Sequence, residues 1–244
     1  MRRYLLLDAN VTIDYFVPDP ANRPCPDRIQ TIVEAVRNRA VDEVVLLVPN
    51  ICIPEVFGAF AKHTLGGSWN PKSLKLDRRR HETVRNGFRT YLHNGAVFHQ
   101  YELDRYHVLA TDLITPVDHW FQIRRGKKAR RIPMGGIDHL VIAMGIVLAR
   151  LNGQPNVAIL TTDLRMVQSV DRARRLPPKT AEKLRLPDRA RQLGYRWRPE
   201  IYPTMLDLKR APNRDLEALF GEWPVPTRKQ RGVEARARRV NAVT

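Results

Sequence analysis

Short apolar runs alternate along the chain with longer stretches in which apolar residues recur at helical spacing. Each of the short runs is bounded by polar or turn residues, which is typical of a buried β-strand. The predicted strands cover residues 4–7, 44–48, 97–103 and 157–160.

Three of the intervening stretches have the pattern of α-helices. In the first, apolar residues recur at the i, i+3, i+4 and i+7 positions: Ile29, Ile32, Val33 and Val36. The second covers residues 55–63 and the third covers 137–151. Because the third carries apolar side chains on nearly every face, we expect it to be buried almost all round.

Strands that alternate with helices predict an α/β fold, because parallel strands need crossover connections. We therefore expect a three-layer α/β/α architecture with a central parallel sheet flanked by helices. One folded domain is predicted for residues 1–205, with basic insertions near 66–89, 124–131 and 172–199. Residues 206–244 are predicted to be a basic C-terminal extension, disordered in its last part from 227 onwards.

The charge of the chain indicates the chemistry of its partner. Forty-two Lys and Arg residues oppose twenty-five Asp and Glu residues, which gives a formal charge of +17. Such a surface favours a polyanion, because neutralising phosphates releases their counterions.

From the apolar segments and the cysteines we expect the protein to be cytoplasmic. No stretch approaches the roughly 20 apolar residues of a membrane span, and the opening run is too short for a signal peptide. Cys25 and Cys52 have neither metal-ligand nor redox spacing, and two cysteines cannot form a disulfide framework for a chain of this length.

Four acidic residues occur where the predicted strands end or the next helix begins. Asp8 and Asp163 directly follow strand-like runs, Glu55 begins a helix a few residues after another, and Asp138 begins the long apolar helix. Because ligands bind at the carboxyl ends of parallel strands, we expect all four acids at one rim of the sheet.

Clustered carboxylates repel one another unless a cation neutralises them. Oxygen ligands suit Mg²⁺ or Mn²⁺, and such ions polarise phosphoryl oxygens and activate water. Together with the basic surface, the acids predict hydrolysis of phosphodiester bonds. We expect water to attack phosphorus with one or two ions bound, leaving a 5′-phosphate and a 3′-hydroxyl.

Four segments carry a family resemblance. LLLDANVTID, PNICIPEVFGAF, GGIDHLVIAMG and AILTTDLRM, in this order, resemble the acidic motifs of PIN-domain nucleases, the fold of toxin-antitoxin ribonucleases and of several RNA-processing enzymes. The resemblance covers most of residues 1–170. It implies an endoribonuclease with Asp8, Glu55, Asp138 and Asp163 as metal-binding, catalytic acids, supported by Asn10 and Thr161.

The same resemblance has consequences for partners. Family toxins bind an antitoxin and the family often dimerises, so RNA, a cognate antitoxin or other protein, and a second copy are the expected partners. However, family toxins are usually much shorter than this chain, and its basic insertions have no counterpart in a minimal toxin. An RNA-processing enzyme is therefore an equal alternative to a toxin.

Structural roles compete with the functional ones at each acid. Asp8 and Asp163 could be helix N-caps, and Glu55 could be present only because the helix dipole favours an acid in the first turn. Asp14 and Asp171 are interpreted as surface acids outside the site. The histidines, among them His63 and His139, have no zinc-ligand spacing and are not needed for the metal mechanism.

Two basic runs are predicted to bind RNA. Their residues are Arg78, Arg79, Arg80, Arg124, Arg125, Lys127, Lys128, Arg130 and Arg131. Trp120, Phe121 and Trp197 lie beside basic residues and could stack on bases, but single rings of this kind are more often part of the core. We therefore assign RNA affinity to the basic residues.

Two other functions compete with the nuclease. A phosphatase of the haloacid-dehalogenase type would place its nucleophile at Asp8, but Asn10 stands where its general acid is needed. A PIN-like scaffold could bind RNA without cutting it. Against the scaffold, a pure binder of polyanions gains nothing from four carboxylates that repel phosphate.

Overall fold

The computed structural model describes residues 2–20, 23–38, 41, 43–65, 75–93, 95, 97–124 and 133–225. Within them, five strands form one parallel sheet in the order β3-β2-β1-β4-β5. The strands are β1 (Arg3–Leu7), β2 (Val44–Pro49), β3 (Phe98–Tyr101), β4 (Val157–Thr161) and β5 (Thr204–Asp207). The predicted α/β class and parallel sheet are confirmed.

Helices connect the strands and flank the sheet. They are α1 (Ala9–Phe16), α2 (Cys25–Arg37), α3 (Ile53–Leu65), α4 (Arg78–His93), α5 (Arg105–Ala110), α6 (Thr115–Arg124), α7 (Gly136–Asn152), α8 (Leu164–Arg174), α9 (Pro178–Lys183), α10 (Leu186–Gln192) and α11 (Asn213–Phe220). Successive side chains of β1 point to opposite faces of the sheet, and Leu5, Leu6 and Leu7 are all fully buried. Both faces are therefore covered, as a three-layer α/β/α fold requires.

Four of the five strands were predicted. The ends of β1, β2 and β4 differ little from the prediction, but β3 is shorter than the predicted run over 97–103. The chain leaves the sheet after Tyr101, and the Leu103 N–H donates to the Asn50 side chain at 3.0 Å. This hydrogen bond fixes the start of the connection to the next helix.

The strand β5 was not predicted. It pairs with β4 from Ala158 opposite Thr204 to Thr161 opposite Asp207, so the predicted domain boundary between 205 and 206 falls inside a strand. Beyond it, α11 buries Leu216 and Phe220. The last residues, 226–244, lie outside the described part, so the prediction that they are disordered stays a prediction.

The described parts of the basic insertions pack onto the domain. In α4, Phe88 is fully buried and contacts Phe16, Phe57 and Phe60 edge-on or tilted, with ring centroids 5.2–6.0 Å apart. The segment that forms α9 and α10 buries Ala181, Leu186 and Ala190. Residues 66–74 and 125–132 lie outside the described part.

The long apolar helix α7 lies directly against the sheet. A Cβ added at Gly145 would lie 2.6 Å from Ile159 Cδ1 and 3.0 Å from Pro203 Cγ, so glycine allows α7 to approach β4. Residues 141–149 are buried, but Ile137 is 43% exposed and Leu151 is 71% exposed. The prediction of burial nearly all round therefore holds for the middle of the helix and is wrong at its two ends.

Two further expectations concern the cysteines and membranes. Cys25 and Cys52 are both buried free thiols, in agreement with their lack of a disulfide pattern. Within the described ranges, no helix combines the length and the apolar character needed to cross a membrane.

Candidate active site

The rim at the carboxyl ends of the central strands is built around Asp8. Leu7 pairs with Leu160, so the residues that follow β1 and the end of β4 are neighbours. Thr161 donates its hydroxyl to Asp8 Oδ2 at 2.8 Å, the Asn10 amide donates to the same oxygen at 3.4 Å, and the Ala9 N–H donates to Oδ1 at 2.8 Å. Asp8 is thus held in one orientation by contacts from Thr161, Asn10 and the Ala9 N–H.

The environment of Asp8 opposes its negative charge. Burial raises its pKa to about 6, the Thr161 hydrogen bond works against this rise, and the carboxylates of Asp138 and Glu55 add to it. A carboxyl group held this way loses its proton less readily than an ordinary aspartate, and a cation that offsets the neighbouring charges would favour its ionised form.

Asp138 lies in the first turn of α7. Its Oδ2 accepts the Gly135 N–H at 2.9 Å, which closes the helix N-terminus. Burial raises its pKa, the Gly135 hydrogen bond lowers it, and the charge of Asp163 raises it again. Together these effects raise the pKa of Asp138 above its ordinary value, so the folded protein disfavours the charged form of this side chain as well.

Asp163 is connected to Asp8 through Thr161. The Asp163 N–H donates to Thr161 Oγ1 at 3.0 Å, and the same hydroxyl donates to Asp8. Burial raises the pKa of Asp163, but hydrogen bonds from Arg165 outweigh that effect and bring it below the ordinary value.

Arg165 is the cation at this rim. Its Nη2 lies 2.5 Å from Asp163 Oδ2 and 3.8 Å from Asp138 Oδ2. Its side chain is 46% exposed, so water reaches the pair. The guanidinium therefore supplies positive charge to two of the predicted metal ligands, and no sequence pattern had indicated it.

Glu55 is the most peripheral of the four acids. It lies in the first turn of α3 and is exposed. Partial burial raises its pKa, the charge of Asp138 raises it further, and Lys62 opposes both. The charge of Glu55 in turn contributes to the raised pKa of Asp8.

The donor set fits a hard divalent cation in kind, since all four predicted ligands are carboxylates. A positive group, Arg165, already lies against two of them. In the part of the chain that the structure describes, however, no three His, Cys, Asp or Glu side chains form a group that could hold an ion.

Two of the four acids also have the structural role of helix N-cap. Asp8 and Asp163 are the N-caps of α1 and α8, accepting the backbone N–H of Ala9 and Arg165, respectively. Capping uses Oδ1 of each carboxylate, while Oδ2 faces Thr161 or the Arg165 side chain. The two roles are therefore compatible, because a carboxylate has four lone pairs.

A buried acid that was not predicted from the sequence accepts hydrogen bonds from residues just before α7 and on α8. Asp118 on α6 is 1% exposed and accepts the Met134 N–H at 3.0 Å, just before α7. His139 Nε2 lies 3.4 Å from its Oδ2, and Ser169 on α8 donates to Oδ1 at 3.4 Å. Burial raises the pKa of Asp118, but His139 and these neighbouring donors bring it below its usual value.

Two other acids are buried outside the predicted site. Asp14, interpreted as a surface acid, is 2% exposed, and the Cys25 thiol donates a hydrogen bond to it. Asp207, at the end of the unpredicted β5, is 6% exposed and forms an ion pair with Arg210 at 2.7 Å. It also caps the following turn by accepting the N–H groups of Lys209 and Arg210.

The predicted RNA-binding residues fall partly on described structure. Arg78, Arg79 and Arg80 are exposed in the first turn of α4, and Arg124 ends α6 with its guanidinium 4.6 Å from the Trp120 ring centroid. The other predicted contacts, Arg125, Lys127, Lys128, Arg130 and Arg131, lie outside the described residues.

The fold has a distant similarity to a solved structure of a known protein. No protein-family profile and no curated protein matches the chain. A solved structure described as VapBC2 from Rickettsia felis bound to a DNA fragment from their promoter is similar over 68% of this chain and 92% of that chain, with 10% sequence identity and a TM-score of 0.41. This likeness is too low to support an argument about function.

Proposed function

We propose that this protein is a metal-dependent endoribonuclease that hydrolyses RNA phosphodiester bonds at the rim formed by Asp8, Glu55, Asp138 and Asp163. The observation that carries the proposal is the geometry around the buried Asp8: the Thr161 hydroxyl joins it to Asp163, and Arg165 lies against both Asp163 and Asp138. Burial and the neighbouring carboxylates raise the pKa of Asp8 to about 6. Carboxylates gathered at such cost are expected to serve a cation.

The residues of the chain divide the work between them. Thr161 orients Asp8 and connects it to Asp163, while the Gly135 N–H orients Asp138. Arg165 places positive charge against Asp163 and Asp138, and a divalent ion held by the same two carboxylates would have to displace it. A bound Mg²⁺ or Mn²⁺ would polarise the phosphoryl group and activate water for attack.

The substrate class follows from the surface. With a formal charge of +17 and exposed arginines at the start of α4, the protein binds a polyanion through its phosphates. RNA is the polyanion that the resemblance to PIN-domain nucleases favours.

The chemistry of the products tests this proposal. Purified protein is incubated with a 5′-labelled RNA pool, with Mn²⁺, with Mg²⁺ or with EDTA, and the new ends are identified enzymatically. The proposal predicts cutting only with metal, and products with 5′-phosphate and 3′-hydroxyl ends. Products with 2′,3′-cyclic phosphates, or equal cutting in EDTA, would show a different mechanism.

A second candidate function is a PIN-like scaffold that binds RNA without cutting it. The ion pair between Arg165 and Asp163, together with the absence of a ready-made ligand group among the described residues, favours this alternative. A scaffold shows salt-dependent RNA binding that is identical with Mn²⁺ and with EDTA, and no cleavage of any RNA in the pool.

A further inference from the structure

A small apolar cavity lies between the end of α6 and the end of α8. Its volume is about 150 Å³, and its walls include Trp120, Phe121, Leu176 and Pro177. Drug-sized ligands occupy pockets of about 300 Å³ or more, whereas a cavity near 150 Å³ is known to accept one aromatic ring. The cavity therefore has room for a single flat heterocycle.

Positive charge surrounds this cavity. Arg172 lies over the Phe121 ring, 4.6 Å from its centroid, and Arg124 lies at the same distance from Trp120. Arg175 also lines the cavity, and Asp171 is the acid beside it. A ligand that brings a flat ring together with negative charge complements such a site, as nucleotides of a single strand do.

The cavity is connected to the acidic rim by rigid elements. Arg165 lies in the first turn of α8 and Arg172 seven residues later, which is about 10 Å along a helix axis. On the other wall, Asp118 hydrogen-bonds to Met134 ahead of α7 and to Ser169 on α8. One or two nucleotides of an extended strand bridge the separation between the rim and the cavity.

From these features we infer that the cavity between α6 and α8 is a nucleobase pocket that holds one unpaired base of single-stranded RNA, near the phosphate presented to the acids. The inference rests on the proposed function for the identity of the ligand. The rings of Trp120 and Phe121, 4.7 Å apart and nearly perpendicular, provide the stacking surface. The arginines hold the flanking phosphates.

The test compares two single-stranded ligands on full-length Asp8→Asn protein in EDTA, so that cleavage cannot interfere. One is a short RNA, and the other is a sugar-phosphate backbone of equal length without bases. We expect the RNA to bind about 5- to 100-fold more tightly, the range of one stacked base. Phe121→Leu, which keeps an apolar side chain but removes the ring, should abolish that difference and leave binding of the backbone unchanged.

A matched control is available on α5. Arg105 lies over the Tyr106 ring, 4.9 Å from its centroid, in a pair of the same kind. Tyr106→Leu should therefore leave the preference for bases intact. If Phe121→Leu also leaves it intact, the pocket is wrong while RNA binding stands. If neither ligand binds, both the pocket and the proposed function fail.

A second measurement needs no change in the pocket. A fluorescent base, 2-aminopurine, is placed at each position of the RNA in turn, and its emission is recorded on binding. Stacking in one pocket predicts strong quenching that is greatest at one position relative to the cut site. Uniform emission at all positions would overturn the pocket even if Phe121→Leu failed to fold.

Discussion

At the scale of single residues, Asp8 combines a structural role with a predicted chemical one. One carboxylate oxygen caps α1, and the other receives the Thr161 hydroxyl. Because burial raises its pKa to about 6, ionising it in the folded protein costs free energy that the unfolded chain does not bear.

This cost predicts a dependence of stability on pH. Between the ordinary value of 3.8 and about 6, the folded state holds a proton at Asp8 that the unfolded state has lost. The contribution of Asp8 to the free energy of unfolding therefore falls as the pH rises through this window, by about 3 kcal/mol in total. Asp8→Asn, a neutral variant of the same shape, lacks this dependence.

Urea unfolding of wild type and Asp8→Asn in EDTA measures the effect. Going from about pH 4.5 to about pH 8, the variant should become more stable relative to wild type. Contributions from groups that do not interact with Asp8 cancel in the difference between the two proteins. A difference in unfolding free energy that is the same at both pH values would contradict the raised pKa of Asp8.

Arg165 supports a prediction about metal affinity. Since its guanidinium lies against Asp163 and Asp138, a divalent ion bound by these two carboxylates would have to displace it. Arg165→Ala should therefore bind Mn²⁺ several-fold more tightly, as measured by titration followed with electron paramagnetic resonance. Arg174→Ala, which loses the same charge on the same helix, is the control. Equal Mn²⁺ affinities in the two variants would show that Arg165 does not influence metal binding at these acids.

The sequence predicted these acids because each one follows a strand or begins a helix, so position in the chain determined position on the rim. It could not predict Asp118, because its partners Met134 and Ser169 are 16 and 51 residues away in the sequence. Nor could it predict Arg165, since an arginine in a basic chain has no distinguishing pattern.

At the scale of elements, α6, α7 and α8 are joined by the buried Asp118. Removing its carboxylate leaves the Met134 N–H and the Ser169 hydroxyl without their partner. Asp118→Ala should lower the free energy of unfolding by about 3 kcal/mol. Asp27→Ala, at an exposed ion pair, should change it by less than about 0.5 kcal/mol, and a similar loss in both variants would contradict the role of Asp118.

The contact of α7 with β4 gives a second prediction at this scale. A methyl group at Gly145 would press on Ile159 and Pro203, so Gly145→Ala should destabilise the fold by about 1–3 kcal/mol in chemical denaturation. Gly136→Ala, at the start of the same helix where an added Cβ meets nothing within 4 Å, is the control. A stabilised Gly145→Ala protein would show that the helix can move away from the sheet at little cost.

Elements with a strong pattern were predicted best. The runs that became β1, β2 and β4 are continuously apolar because parallel strands are buried on both faces. The missed strand β5 has only Met205 and Leu206 as apolar residues before Asp207, which is too short a signal to separate from a loop. The basic composition of α4, α9 and α10 also hid the few apolar side chains with which they pack.

At the scale of the whole molecule, net charge should govern RNA affinity. Each arginine that contacts a phosphate contributes to the slope of log affinity against log salt. Replacing Arg78, Arg79 and Arg80 with Ala should reduce that slope by about 2–3.

The control for this prediction loses the same charge at dispersed sites. Arg37, Arg191 and Arg214 are exposed on three different helices, and their triple Ala variant should keep a slope closer to that of wild type. Equal reductions in the two triple variants would mean that total charge, rather than the exposed arginines of α4, determines the affinity.

The central claim is that the acids around Asp8 cut RNA with a bound metal ion. The most direct measurement is cleavage of a labelled mixed RNA pool by wild type and Asp8→Asn, each with Mn²⁺ and with EDTA, with RNA binding measured in parallel. The account predicts cleavage only by wild type with Mn²⁺, and RNA binding by both proteins. RNA binding by both proteins without cleavage under any condition would contradict it and favour the scaffold.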